Sequence, residues 1–211
     1  MALLLTHQEP LFGIWKIEES TEELLAMFEN KSEYMKAIDK YRNDGRKKEW
    51  LACRILLKHL LGKENVIEYH PNGAPYLVNE QLSISFSHTK GYAAVLVQNN
   101  PNAGIDIEYH SSRIRKIRQR FLSEQEESFI EFQHEIEMLL ICWCSKETLY
   151  KMVGEAETDL LEDFSIRPFS YKENGSIEIC NNIKNTVYTL NYLVEQDYVI
   201  VYSSDKSLKL K

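Results

Sequence analysis

The sequence predicts an α+β protein made of two pseudo-repeated α+β halves related by an approximate two-fold, each a small antiparallel sheet packed with one long helix. Three observations predict it. Residues 46–61 and 135–153 carry helical periodicity, and each stretch ends at a glycine, Gly62 and Gly154, where a left-handed residue can stop a helix. After each glycine come short apolar runs separated by turn residues, the pattern of antiparallel strands. Helix, glycine stop, strand, Asn-Gly turn and further strands then recur in the same order, although the halves share little direct identity. The division falls at residue 104, giving halves 1–104 and 105–211 with the active site expected in the cleft between them.

In the first half, Ser20 with Glu23 is a capping-box pattern that opens a short helix through Phe28, and a second helix is predicted over 32–41. The long helix places Trp50, Leu51, Ile55, Leu57 and Leu60 at helical spacing. Extended pieces are predicted at 66–69, 75–78, 82–86 and 92–98, with a turn at Asn72-Gly73. A turn over 99–102 leads into Gly104-Ile105-Asp106-Ile107-Glu108, and the whole reads as a β-meander. In the second half, Ser123 with Glu126 caps a helix, the long helix covers 135–153, and strands are predicted at 164–167, 177–180, 187–194 and 198–203. Asn174-Gly175 is predicted as a hairpin turn, and residues 203–211 as a frayed tail.

Composition narrows the class. The 211 residues are 44% hydrophobic and 11% aromatic, ample for a packed core. The longest apolar runs, such as Ala93-Ala94-Val95-Leu96-Val97, are too short to span a bilayer, and the first ten residues lack the basic flank and cleavage site of a signal peptide. A cytoplasmic location with no membrane contact is therefore expected. Cys53, Cys142, Cys144 and Cys180 show no disulfide framework, and Cys142 and Cys144 stand one residue closer than zinc pairs usually do. The net charge of −7 argues against nucleic acid as a partner. Residues 113–120 are a local exception with five positive charges.

The segment Gly104-Ile105-Asp106-Ile107-Glu108 poses the chemical question. On a strand Ile105 and Ile107 share one face and Asp106 and Glu108 the other, about 7 Å apart. Two acids that close repel unless water or a cation intervenes. On the second long helix Trp143, Glu147 and Lys151 lie at i, i+4 and i+8. A surface Glu147–Lys151 pair is the simple reading, but the preceding Leu139-Leu140-Ile141-Cys142-Trp143 implies burial, where a free charge is costly. One divalent cation resolves both problems. Asp106, Glu108 and Glu147 offer three hard oxygen ligands suited to Mg²⁺, and Lys146, Lys151 and Arg54 are available to neutralise a phosphate substrate. Ser83, Ser85 and Ser87 form a hydroxyl row on one strand face leading to His88. No nucleophile elbow surrounds them, so Ser87 and His88 are read as phosphate contacts, with a solvated polar strand face as the plain alternative.

These residues resemble the surfactin-type 4′-phosphopantetheinyl transferases. The matching motifs are Asn72-Gly73-Ala74-Pro75-Tyr76-Leu77, Ile84-Ser85-Phe86-Ser87-His88, Gly104-Ile105-Asp106-Ile107-Glu108, Arg120-Phe121-Leu122-Ser123 with Glu126, and Trp143-Cys144-Ser145-Lys146-Glu147 with Lys151 and Gly154, all in order over residues 72–154. The resemblance implies an Mg²⁺-dependent enzyme that moves the phosphopantetheine arm of coenzyme A to a serine of an acyl or peptidyl carrier protein, releasing adenosine bisphosphate. It implies Asp106, Glu108 and Glu147 as metal ligands at the pyrophosphate and Glu147 and Lys151 as catalytic residues. It also implies Arg54, Ser87, His88, Lys146 and Lys151 at the cofactor, with Ser87 and His88 on its 3′-phosphate. Lys40 and Arg42 are candidate upstream contacts. Either Glu147 or a water on the ion takes the serine proton. Ala74 replaces a lysine common in the family, and Glu155-Ala156 an unlike continuation. A fused pseudo-repeat is expected to act as a monomer, and residues 113–120 to help dock an acidic carrier. A non-catalytic coenzyme A or nucleotide module is the main competing class. A two-carboxylate glycosidase is a weaker one, because both acids project from one strand.

Overall fold

The computed structural model describes residues 3–155 and 157–204. It is a mixed α/β fold of two antiparallel sheets, a small hairpin and several helices. The first sheet has the order β1-β2-β6-β5, built from β1 (Leu3–Gln8), β2 (Leu11–Lys16), β5 (Ser83–Thr89) and β6 (Tyr92–Gln98). The second has the order β7-β11-β10-β9-β8, from β7 (Ile105–Tyr109), β8 (Phe164–Ile166), β9 (Asn174–Asn181), β10 (Thr186–Val194) and β11 (Tyr198–Ser203). β3 (Ile67–Tyr69) and β4 (Pro75–Leu77) form a separate hairpin whose turn has Gly73 at φ 84°.

The packing follows from period-two alternation. In β6, Ala93, Val95 and Val97 enter a core with α3 (Asp44–Leu61), whereas Tyr92, Ala94 and Leu96 enter a second core with Phe12, Ile14, Ile105, Ile107, Ile200 and Tyr202. β11 does the converse, sending Val199 and Val201 toward α5 (Glu135–Val153) and Ile200 and Tyr202 inward. The two sheets thus share an apolar middle, and each carries one long helix on its outer side. This explains why β6 and β11 read as continuous apolar runs: both faces are covered.

The helices start and stop where the sequence indicates. α1 (Thr21–Ala26) opens on the Ser20–Glu23 capping box, α2 is Lys31–Ile38, and α3 ends at Gly62 with φ 72°. α4 (Glu124–Glu127) opens on the Ser123–Glu126 box, and α5 ends at Gly154 with φ 67°.

Four expectations need correction. The predicted meander does not form, because β6 pairs with β5 on one edge and with β2 on the other, and β7 joins β11 in the other sheet. The sequence predicts no strand before the first helix, yet β1 and β2 form an N-terminal hairpin, and β2, with Phe12, Ile14 and Trp15 buried, lies between β1 and β6. Asn174 and Gly175 are strand residues opposite Leu193 and Tyr192, not a turn. A Cβ on Gly175 would lie 2.8 Å from Tyr192 Oη, so this glycine makes room for a ring across the ladder. Ser203 closes β11 and accepts from the Gly104 backbone at 3.0 Å, so the predicted tail does not begin there; residues 205–211 lie outside the described residues.

Candidate active site

The site begins where β7 crosses α5. A Cβ on Gly104 would come within 2.6 Å of both the Thr148 carbonyl and Met152 Cγ, so only glycine permits this approach. Gly104→Ala is therefore expected to cost about 1–3 kcal/mol by forcing the helix off the strand, read as a shifted urea midpoint with an unchanged slope. With Ile105 and Ile107 fixed in the middle core, Asp106 and Glu108 face α5.

The stripe Trp143, Glu147 and Lys151 faces them. Lys151 Nζ donates to Asp106 Oδ1 at 2.7 Å and to the Ile105 carbonyl at 2.8 Å, not to Glu147. Trp143 Nε1 donates to Glu108 Oε1 at 3.4 Å. Burial pushes Glu147 up to about 7, with Asp106 and Glu108 adding to the rise and Lys151 opposing it. Glu108 is also raised, first by burial and then by Asp106. The three acids therefore lie in one another's field, with Lys151 in contact with Asp106. Asp106 Oδ2 is buried and has no hydrogen-bond partner. The Cys144 thiol is close enough that burial and both strand acids push it well up, so it stays protonated. Among the described residues, no three His, Cys, Asp or Glu side chains are gathered as a ready-made metal centre.

A cleft of about 390 Å³ lies alongside, with Lys40, Arg46, Arg54 and His88 among its walls and Trp50 and Tyr69 as its aromatic faces. A second cavity of about 180 Å³, reaching Lys151 and Tyr150, shares Gly73, Pro75 and Phe86 with it. Asn72 ties the hairpin turn to the end of α5 by donating to the Gly154 carbonyl at 2.7 Å. Three cations with aromatic walls suit a phosphorylated ligand carrying a ring, and the second cavity reaches Lys151, the partner of Asp106.

His88 contacts Arg46 NH1 through Nε2 at 2.6 Å and Glu49 Oε2 through Nδ1 at 3.2 Å. Burial, then the charges of Arg46 and Lys151, lower its pKa from 6.5 to about 4. A depressed pKa favours the neutral folded form above the unfolded value, so this contribution is present above pH 6.5 and is lost as pH falls through about 4. The His88 ring should titrate near 4 by NMR, and His88→Gln should flatten the fall in stability between pH 6.5 and 4.

The remaining candidates divide. Arg54 is buried, its guanidinium 3.3 Å over the Trp50 ring and donating to Tyr69 Oη at 2.6 Å, so it forms the cleft wall with several donors already engaged. Lys40 lines the cleft; Arg42 is exposed and is not among its walls. The expectation for Lys146 is corrected. Its side chain is fully buried, with Nζ 2.9 Å from Glu126 Oε1 and 2.7 Å from the Phe164 carbonyl, because it braces α4 and β8 against α5 and has no path to a phosphate. The Ser87 hydroxyl is corrected likewise: it is buried, donates to Asp106 Oδ1 at 2.8 Å and accepts from the Ile107 backbone at 3.2 Å. Thr89 and Arg46 carry no role in the sequence analysis, and Glu126 appears there only as a helix cap and motif residue. Thr89 donates to Glu108 Oε2 at 2.8 Å and continues the alternation of Ser83, Ser85 and Ser87, a signal that was present. Arg46 at His88 and Glu126 at Lys146 are long-range pairs with no local signature. Ala156 lies outside the described residues.

The cleft thus gathers three cations and two aromatic faces, and Lys151 links the smaller cavity to Asp106. The 4′-phosphopantetheinyl transferase superfamily model matches residues 102–203, the segment holding β7, α5 and all three acids. No curated protein matches the chain.

Proposed function

We propose that this chain is a surfactin-type phosphopantetheinyl transferase that moves the 4′-phosphopantetheine arm of coenzyme A to a serine of an acyl or peptidyl carrier protein. The observation that carries the reading is Asp106: one carboxylate oxygen held by Lys151 and Ser87, the other buried and unpartnered beside two acids of raised pKa. A buried carboxylate oxygen without a partner, beside two further carboxylates, fits Mg²⁺. Asp106, Glu108 and Glu147 would hold the ion, which supplies charge neutralisation at a diphosphate.

The chain's own groups do the rest. Lys40, Arg46 and Arg54 hold the nucleotide end with His88, and Lys151 screens the diphosphate and the departing phosphate charge. The carrier serine oxygen forms a bond to the pantetheine-linked phosphorus as the bond to adenosine bisphosphate breaks. Glu147 is the carboxylate in position to receive the serine proton. We place the halves at 1–104 and 105–211 under an approximate two-fold, working as a cytoplasmic monomer. No helix among the described residues is long and apolar enough to cross a membrane.

For the carrier, Arg115 and Arg118 are already paired with Glu135 and Glu127, while exposed Arg113, Lys116 and Arg120 have no ion pair among the described residues. Charge reversal at Arg113 and Lys116 should raise carrier KM severalfold at low salt, fade at high salt and leave kcat unchanged. An unchanged KM places the docking surface elsewhere.

A non-catalytic coenzyme A module is the second reading, favoured by the Lys151–Asp106 pair, which neutralises one acid without an ion. It predicts coenzyme A binding with no Mg²⁺-dependent turnover. Incubation with coenzyme A, Mg²⁺ and apo carriers separates the two by carrier mass.

A further inference from the structure

We infer that Ser87 and Thr89 are positioning residues that set the carboxylates of Asp106 and Glu108 from the neighbouring sheet. The inference rests on the proposed metal-ligand role of those two acids. β7 is the edge strand of its sheet, so one row of its backbone donors has no strand to pair with. Three hydroxyls of β5 take that row in register: Ile105 N donates to Ser85 Oγ at 3.1 Å, Ile107 N to Ser87 Oγ at 3.2 Å and Tyr109 N to Thr89 Oγ1 at 3.4 Å. Hydroxyls at every second residue of one strand thus close the edge of another that β5 never joins by a backbone ladder.

A hydroxyl that accepts an N–H still owns one proton to give. Ser87 gives it to Asp106 Oδ1 at 2.8 Å and Thr89 to Glu108 Oε2 at 2.8 Å; Ser85 makes no hydrogen bond to a carboxylate among the described residues. Both donors are buried, each at 7% exposure, so water competes little for the carboxylates they hold. The result is an assigned rotation for each acid. Asp106 Oδ1 is occupied by Ser87 and Lys151, which leaves Oδ2 as the oxygen without a partner. Glu108 is gripped on both oxygens, by Thr89 and by Trp143. Groups that orient metal-binding carboxylates in this way typically change metal affinity about 10–100-fold when removed.

Ser85 supplies the control, because it caps the same edge without touching an acid. Mg²⁺ affinity of the full chain is measured by calorimetry, and folding stability by urea, for Ser85→Ala, Ser87→Ala, Thr89→Val and Thr89→Ser. Ser87→Ala and Thr89→Val should each weaken Mg²⁺ binding about 10–100-fold, and Thr89→Ser should restore it. Ser85→Ala should lose stability comparably yet bind Mg²⁺ like the wild type. Wild-type affinity in Ser87→Ala and Thr89→Val, or an equal loss in Ser85→Ala, overturns the inference and reduces the hydroxyls to edge caps. If those results come while Asp106→Asn abolishes binding and carrier labelling, the proposed function stands and only the positioning role falls. A wild-type chain that neither binds Mg²⁺ nor labels a carrier overturns both.

Discussion

Replacing Lys146 with methionine should lower folding stability by about 3–5 kcal/mol, the cost of leaving a buried charge without its partner. The Glu126 carboxylate would remain inside, held by Ile166 N at 2.8 Å, Ser123 N at 2.8 Å and the Ser123 hydroxyl at 3.0 Å, with no countercharge. Those three donors explain why the acid cannot simply swing to water: it ties α4 to β8. The double variant Lys146→Met with Glu126→Gln should recover part of the loss, since it removes the buried charge while the amide oxygen still accepts from one of the two backbone donors. Urea unfolding of the two singles and the double closes this cycle. A small effect in Lys146→Met would mean that Lys146 is not the brace described and would return it to the list of phosphate contacts.

Asp106→Asn should abolish carrier labelling, a loss of at least about a hundredfold in kcat, while leaving stability near that of the wild type. The fold should survive because an amide oxygen at this position still accepts from Ser87 and Lys151. The chemistry should not, because the unpartnered second oxygen becomes an amide nitrogen that cannot face a cation. Labelling kinetics by mass spectrometry, with a urea curve on the same preparation, separate the two effects.

Much of the fold was legible because local rules and tertiary structure agree. Both capping boxes, both glycine stops and the whole of α5 follow from side chains within a few residues of each other. What failed was non-local. Which strand joins which sheet depends on β2, whose Phe12 and Ile14 have value only against the middle core, and nothing near Gly175 announces that Tyr192 lies across from it. At the site, the acids and Lys151 were legible from spacing along one strand and one helix. The errors at Lys146 and Ser87 have one cause: residue type says a group can bind phosphate, but only the packing shows whether Glu126 or Asp106 already holds it.

The most direct measurement is the intact mass of an apo carrier protein after incubation with this chain and coenzyme A, with Mg²⁺ and again with excess EDTA. The account predicts a gain of one phosphopantetheine on the carrier serine that appears with Mg²⁺ and disappears with chelator. Coenzyme A binding with no mass gain on carriers drawn from fatty-acid, polyketide, peptide and siderophore assembly would contradict it.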